Sequence, residues 1–130
     1  MRHFLRRFRC LLGKTVFLIL LLTVHDRSQA HSILVESIPA QGAKLSTAPS
    51  TAQLRFNSMI EPGLTRVSLV QGRQRTALKV GKESVIDRII MPLPPLGPGV
   101  YSIVYKVLAL DGHVTKGSVQ FTILPPGTAP

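Results

Sequence analysis

The histidines of this sequence are its best metal-binding side chains, and they fall into two pairs. His3 and His25 lie in an N-terminal segment that has the features of an export signal. Cleavage after Ala30 would leave His31 and His113 as the two histidines of the remaining chain. His31 would then carry a free α-amine, whose reference pKa of about 7.7–8.0 lets a metal displace its proton near neutral pH. The amine and the ring of this one residue could therefore chelate a single ion.

The second histidine closes the tripeptide Asp111-Gly112-His113. Asp111 and His113 are two positions apart, so in extended backbone their side chains would project to the same side. A carboxylate together with imidazoles forms a nitrogen- and oxygen-rich set that suits tetragonal Cu(II). The alternative is that Asp and Gly are present for backbone reasons, because both are frequent turn residues. Residue types and spacing leave a metal site and a plain turn as two open interpretations.

The first 30 residues predict export. Residues 1–9 carry four arginines and no acid, residues 15–24 are uncharged and mostly apolar, and Ser28-Gln29-Ala30 matches the small-residue pattern read by signal peptidase. The apolar run is shorter than the roughly 20 residues of a membrane-spanning helix. We therefore predict a cleaved secretory signal over residues 1–30, with membrane contact only through this leader. The single cysteine, Cys10, would leave with it.

Removal of this leader also lowers the charge. Six of the 16 basic residues and one of the six acidic residues lie in residues 1–30, so the net charge falls from +10 to +5. The remaining bases form no run along the sequence, and only four aromatic residues remain. Nucleic-acid binding favours clustered bases with aromatic rings to stack on. We therefore expect no nucleic-acid partner.

The rest of the chain is patterned as short strands between Pro- and Gly-rich turns. Apolar and polar residues alternate with period two, and no sustained 3.6-residue apolar stripe indicates a helix. We predict an all-β, antiparallel sandwich of about seven strands over residues 31–124, with a flexible tail over 125–130. The predicted strands cover residues 32–38, 53–57, 66–70, 76–80, 85–91, 100–110 and 117–124.

Across almost all of residues 31–124 the sequence resembles the CopC family of bacterial periplasmic copper-resistance proteins. The matching features are His31, the stretch Ser37-Ile38-Pro39-Ala40-Gln41-Gly42-Ala43, Pro49, Leu54-Arg55-Phe56-Asn57, Gly99-Val100-Tyr101, Asp111-Gly112-His113, Gly117 and Phe121. They occur in the family's order and at its separations.

The resemblance implies a Greek-key, immunoglobulin- or cupredoxin-like β-sandwich that binds Cu(II) at one end. By position, His31 would give its amine and ring, His113 its ring and Asp111 an oxygen. It further implies a monomeric periplasmic copper carrier or buffer without catalytic activity. A multi-span membrane copper transporter, if it is the partner, would be a separate polypeptide.

Two departures from the family pattern concern the metal. Ser58 stands where many members have an acidic residue, and Glu61 lies three positions later. Met59 and Met91 do not form a methionine-rich cluster, so we predict no dedicated Cu(I) site. For Met59 we expect packing in the core or in a loop, the alternative being a lone soft ligand.

Two other functions fit parts of this pattern. A copper monooxygenase acting on polysaccharides also uses an N-terminal histidine chelate on a β-sandwich, but such enzymes present a flat aromatic surface. A metal-free immunoglobulin-like accessory module would use the D-G-H tripeptide only as a turn.

Overall fold

The computed structural model describes residues 32–128, which form two packed β-sheets. Within this range there are eight strands and one short 3₁₀ turn, Pro62–Leu64. The predicted signal, His31 and the last two residues of the tail lie outside the described range. In chain order the strands are β1 Leu34–Ile38, β2 Ala43–Leu45, β3 Thr51–Phe56, β4 Arg66–Gln71, β5 Gln74–Leu78, β6 Arg88–Pro92, β7 Gly99–Leu108 and β8 Val114–Ile123.

The two sheets have the strand orders β1–β3–β6 and β2–β8–β7–β4–β5. Among the described strands, β4–β5 and β7–β8 are consecutive neighbours in one sheet, and every other connection crosses to the opposite sheet, as in a Greek-key sandwich. All pairs are antiparallel except β2 beside β8, which are parallel. The predicted all-β sandwich is confirmed. Across residues 32–128 the structure shows no helix long and apolar enough to cross a bilayer.

Strand β2 was not predicted from the sequence. It has three residues, which is too short to display a period-two pattern. Hydrogen bonds at both ends of β2 hold it beside β8. The N–H of Gly42, just before β2, donates to the Gln120 carbonyl at 2.7 Å, and the N–H of Leu124, just after β8, donates to the Leu45 carbonyl at 2.8 Å. Long-range pairing, rather than local pattern, therefore creates this strand.

Alternation along the strands places one face of each sheet in a common core. Tyr101 and Tyr105 of β7 are buried, as predicted, and each ring contacts a phenylalanine. Tyr101 stacks on Phe121 at 5.6 Å between ring centroids, and Tyr105 meets Phe56 edge to face at 5.5 Å. Since residues 31–130 lack cysteine, burial of these and the aliphatic side chains stabilises the sandwich without a disulfide.

Gly117 of β8 allows the close approach of the Tyr105 ring. The two residues are direct partners in the β7–β8 ladder. A Cβ on residue 117 would overlap the Tyr105 hydroxyl oxygen and lie 2.5 Å from the ring carbon Cζ. The Tyr105 ring is in edge-to-face contact with Phe56, the last residue of β3, so a shift of the ring would disturb that contact.

We predict that Gly117→Ala lowers the free energy of unfolding by about 1–3 kcal/mol, the usual cost of overpacking a core. Gly63→Ala is the matched control, because a Cβ there meets no atom within 4 Å and its φ is not left-handed. The control should change stability by less than about 1 kcal/mol, in the stabilising direction. Urea denaturation measures both variants, and equal losses would contradict the role given to Gly117.

Candidate metal centre

The tripeptide Asp111-Gly112-His113 lies in the turn between β7 and β8. The Ala109 N–H donates to the His113 carbonyl at 2.8 Å, and the Gly112 N–H donates to the Ala109 carbonyl at 2.9 Å. Gly112 has a φ of +87°, in the left-handed region that glycine adopts without steric penalty. The extended backbone assumed for this tripeptide is therefore wrong, because a tight turn has to connect two long antiparallel strands.

The turn nevertheless brings the Asp111 and His113 side chains together. Oδ1 of Asp111 accepts a hydrogen bond from the His113 main-chain N–H at 3.0 Å, and Oδ2 lies 3.2 Å from Nδ1 of the ring. The hydrogen bond from this main-chain N–H lowers the pKa of the Asp111 carboxyl from its ordinary value, with smaller contributions from the ring. Asp111 is therefore an anion at neutral pH.

The spacing of these two side chains is that of an Asp–His ion pair, and it can be compared with the spacing of two ligands on one metal ion. Two donor atoms that each lie about 2.0–2.1 Å from one ion, at a right angle, are about 2.9 Å apart. The Asp111 oxygen and His113 nitrogen are 3.2 Å apart, with 42% and 45% of the two side chains exposed. Within residues 32–128, no group of three or more His, Cys, Asp or Glu side chains is arranged to hold a metal. Asp111 and His113 therefore form a pair in the described chain, not a complete set of metal-binding side chains.

The segment that follows β3, residues 57–61, fixes the beginning of the described chain. The Asn57 N–H donates to the Ile33 carbonyl at 3.0 Å, and the Ile33 N–H donates to Oδ1 of Asn57 at 2.7 Å. The hydroxyl oxygens of Ser58 and Ser32 are 2.6 Å apart, and Ser32 is fully buried. Ser32 follows His31 in the sequence, so the position next to His31 is firmly anchored.

The same segment also fixes the Asp–His turn. The Leu110 N–H donates to the Met59 carbonyl at 3.1 Å, and the Glu61 N–H donates to the Leu108 carbonyl at 2.8 Å. Between these bonds, Ile60 forms an antiparallel bridge with Ala109. Residues 57–61 therefore bond both to the start of the described chain and to the segment that leads into Asp111.

The sequence analysis did not identify Ser32, Asn57 and Ser58 as residues that anchor the start of the described chain. Asn57 and Ser58 were considered only for their match to, or departure from, the family pattern. The sequence did carry a signal of this anchoring segment, since two polar residues directly follow the alternating strand β3.

The two methionines of the described chain differ in their burial. Met91 is buried in the core, whereas Met59 is 55% exposed in the loop beside the turn.

The two sheets define a Greek-key β-sandwich domain, and the exposed Asp–His turn lies on a loop between two of its strands. The CopC domain model matches residues 34–124, so the chain belongs to the CopC family. The family resemblance found in the sequence is confirmed.

Individual relatives agree with this assignment. The chain is 31% identical over 103 residues to copper resistance protein C of Xanthomonas campestris pv. juglandis, covering 72% of this chain and 80% of that protein. It is 30% identical over 98 residues to protein YobA of Escherichia coli K12, covering 72% and 79%. The crystal structure of CopC from Methylosinus trichosporium OB3b matches with a TM-score of 0.66 at 26% identity, covering 77% of this chain and 99% of that one.

We predict that Ser58→Ala lowers the free energy of unfolding by about 1–3 kcal/mol, because it leaves the buried Ser32 hydroxyl without this partner. The double variant Ser32→Ala/Ser58→Ala should recover much of that loss, since both polar groups are then absent. Ser118→Ala, on an exposed strand position, should change stability by less than about 0.5 kcal/mol. Urea denaturation of the four proteins tests this, and a double variant less stable than Ser58→Ala would contradict it.

Proposed function

We propose that this protein is an exported copper-binding protein that holds Cu(II) and passes it on without catalysis. The observation that supports the proposal most directly is the Asp111–His113 pair, held 3.2 Å apart on an exposed turn. That turn and the anchored Ser32 are both bonded to residues 57–61. Membership of the CopC family, with a relative named copper resistance protein C, supports copper as the cargo.

In this proposal His31 supplies the missing donors. The next residue in the sequence, Ser32, is buried and bonded to Ser58 of the segment that also bonds to the residues leading into Asp111. Its amine and ring, the His113 ring and an Asp111 oxygen would then give three nitrogens and one oxygen. That set suits tetragonal Cu(II). Because Asp111 and His113 are both exposed, a partner could reach the ion and exchange its ligands.

Export is part of the proposed mechanism. Residues 1–30 would be removed as a secretory signal, leaving the CopC domain over residues 31–124 and the short tail 125–130 in the periplasm. The cut would create the amine of His31, so the uncut precursor would lack the full site. The copper-competent form would therefore be made only after export.

The exposed apolar side chains beside the turn suit a transient partner. Met59, Leu110 and Val114 are each about half exposed. Exposed apolar groups near a functional site are typical of protein contact surfaces. We propose that the protein is a monomer that delivers copper to a separate membrane copper transporter, which would contact this end of the sandwich.

The two competing functions make different demands on the structure. A polysaccharide monooxygenase needs exposed aromatic rings, but the four aromatic residues of the described chain are all buried: Phe56, Tyr101, Tyr105 and Phe121. A metal-free accessory module would need the Asp–His pair only as a turn, and its copper affinity would not depend on those side chains.

We predict that the exported chain binds one Cu(II) and that His113→Ala weakens binding by about 100-fold or more, since loss of even an outer-sphere partner typically costs 10–100-fold. The turn should survive this change, because the bond from the residue 113 main-chain N–H to Asp111 is retained. Asp111→Asn should also weaken binding, and its charge-matched control Glu83→Gln should not.

Competition titration with a Cu(II) chelator measures the affinities, and EPR reports the nitrogen ligands. Binding of equal strength in the wild type and in His113→Ala would contradict the proposed site, and absence of Cu(II) binding by the wild type would favour the metal-free module. Circular dichroism of each variant confirms that the sandwich is intact.

A further inference from the structure

The outer face of the five-stranded sheet carries a row of cations in register. Arg66 of β4 lies directly opposite Lys106 of β7, and Lys106 lies directly opposite Lys116 of β8. All three side chains are exposed, because their neighbours along each strand point into the core. We refer to Arg66, Lys106 and Lys116 as the cationic row.

Two further cations border the row. Arg75 of β5 lines a shallow depression together with Arg66, Lys106 and Lys116. Lys79, just after β5, lines a second depression together with Arg66. Five of the ten basic residues outside the predicted signal therefore lie on or beside one side of the sandwich.

No ion pair in the described chain neutralises the cationic row. Among residues 32–128 the ion pairs join Arg55 to Glu36 and His113 to Asp111, and neither includes a member of the row. Like charges directly opposite each other on adjacent strands repel, so the row does not stabilise the sheet. Because these side chains point to solvent, core packing does not require three cations in register. The arrangement therefore fits an external anionic partner.

The surroundings of the row favour phospholipid headgroups over a protein. The next outward positions along the three strands are Ser68, Val104 and Ser118, which are paired with one another and offer one aliphatic side chain between two hydroxyls. The aromatic residues of the described chain are all buried. Protein interface cores are enriched in aromatic side chains and depleted of lysine, the reverse of this face. Basic residues near an anionic leaflet, in contrast, each add attraction without a shaped pocket.

We propose that the cationic row docks this protein on an anionic phospholipid surface. This contact is independent of copper, and it departs from the sequence expectation that only the leader meets the membrane. Lys116 is three residues beyond His113, which corresponds to about 10 Å along a strand. Docking through the row would therefore keep the Asp111–His113 turn close to the lipid surface.

The test uses the chain expressed at full length and recovered after export, with its mass determined. Co-sedimentation is measured with phosphatidylcholine vesicles, with and without phosphatidylglycerol. Lys106→Ala/Lys116→Ala should bind the anionic vesicles about 30-fold more weakly than wild type, since each basic residue near the leaflet contributes about fivefold. High salt should abolish the wild-type binding.

The charge-matched control is Arg55→Ala/Arg88→Ala, which removes two cations that lie directly opposite each other on β3 and β6. These strands belong to the other sheet, and the side chains adjacent to Arg55 and Arg88 along them, Leu54, Phe56 and Ile89, are buried in the core. Arg55 and Arg88 therefore face away from the row, and this variant should bind within about threefold of wild type. Equal losses in the two double variants, equal binding to neutral vesicles or absence of binding to anionic vesicles would each overturn the proposal. The copper affinity of Lys106→Ala/Lys116→Ala should stay unchanged, which separates this test from that of the metal site.

Discussion

Residues 57–61 leave β3 and form hydrogen bonds on two sides, and the candidate site depends on this arrangement. On one side Asn57 and Ser58 hold Ile33 and Ser32. On the other side the Met59 carbonyl and the Glu61 N–H pair with the segment that leads into the Asp–His turn. Two parts of the chain about 80 residues apart in sequence are thereby bonded to one short segment. The Ser32 hydroxyl is fully buried, so loss of its Ser58 partner would leave a polar group without compensation.

Much of the fold could be predicted because it follows from local pattern. The alternation in β7 and β8 places Tyr101, Tyr105 and Phe121 inward, and the structure buries all three. Strand β2 could not be predicted, since three residues show no period and its pairing with β8 is non-local. The cationic row could not be predicted either, because it also depends on non-local strand pairing. Arg66, Lys106 and Lys116 are scattered along the sequence, and only strand register brings them into one row.

The sequence allowed the pairing of Asp111 with His113 to be predicted, but not the backbone conformation that brings the two side chains together. The sequence indicated Asp111 and His113 as a pair, and their side chains do meet. It assumed an extended backbone, whereas the left-handed Gly112 and the turn hydrogen bonds produce the contact. The anchoring of Ser32 by Ser58 was not predicted, because the two residues are 26 positions apart and both are small polar residues without a pattern. The contribution of His31 rests on its place in the sequence, since the structure describes the chain from Ser32 onward.

We propose that signal cleavage after Ala30 completes the copper site by giving His31 a free amine. The most direct test is the Cu(II) affinity of an exported chain with one glycine inserted between Ala30 and His31, its new N-terminus confirmed by mass. A chain with the same insertion after Thr128 serves as the control. We expect the N-terminal insertion to weaken Cu(II) binding by at least about tenfold and to change the nitrogen pattern in the EPR spectrum. The control should match the wild type in both measurements. Unchanged affinity and an unchanged spectrum in the N-terminal variant would contradict it.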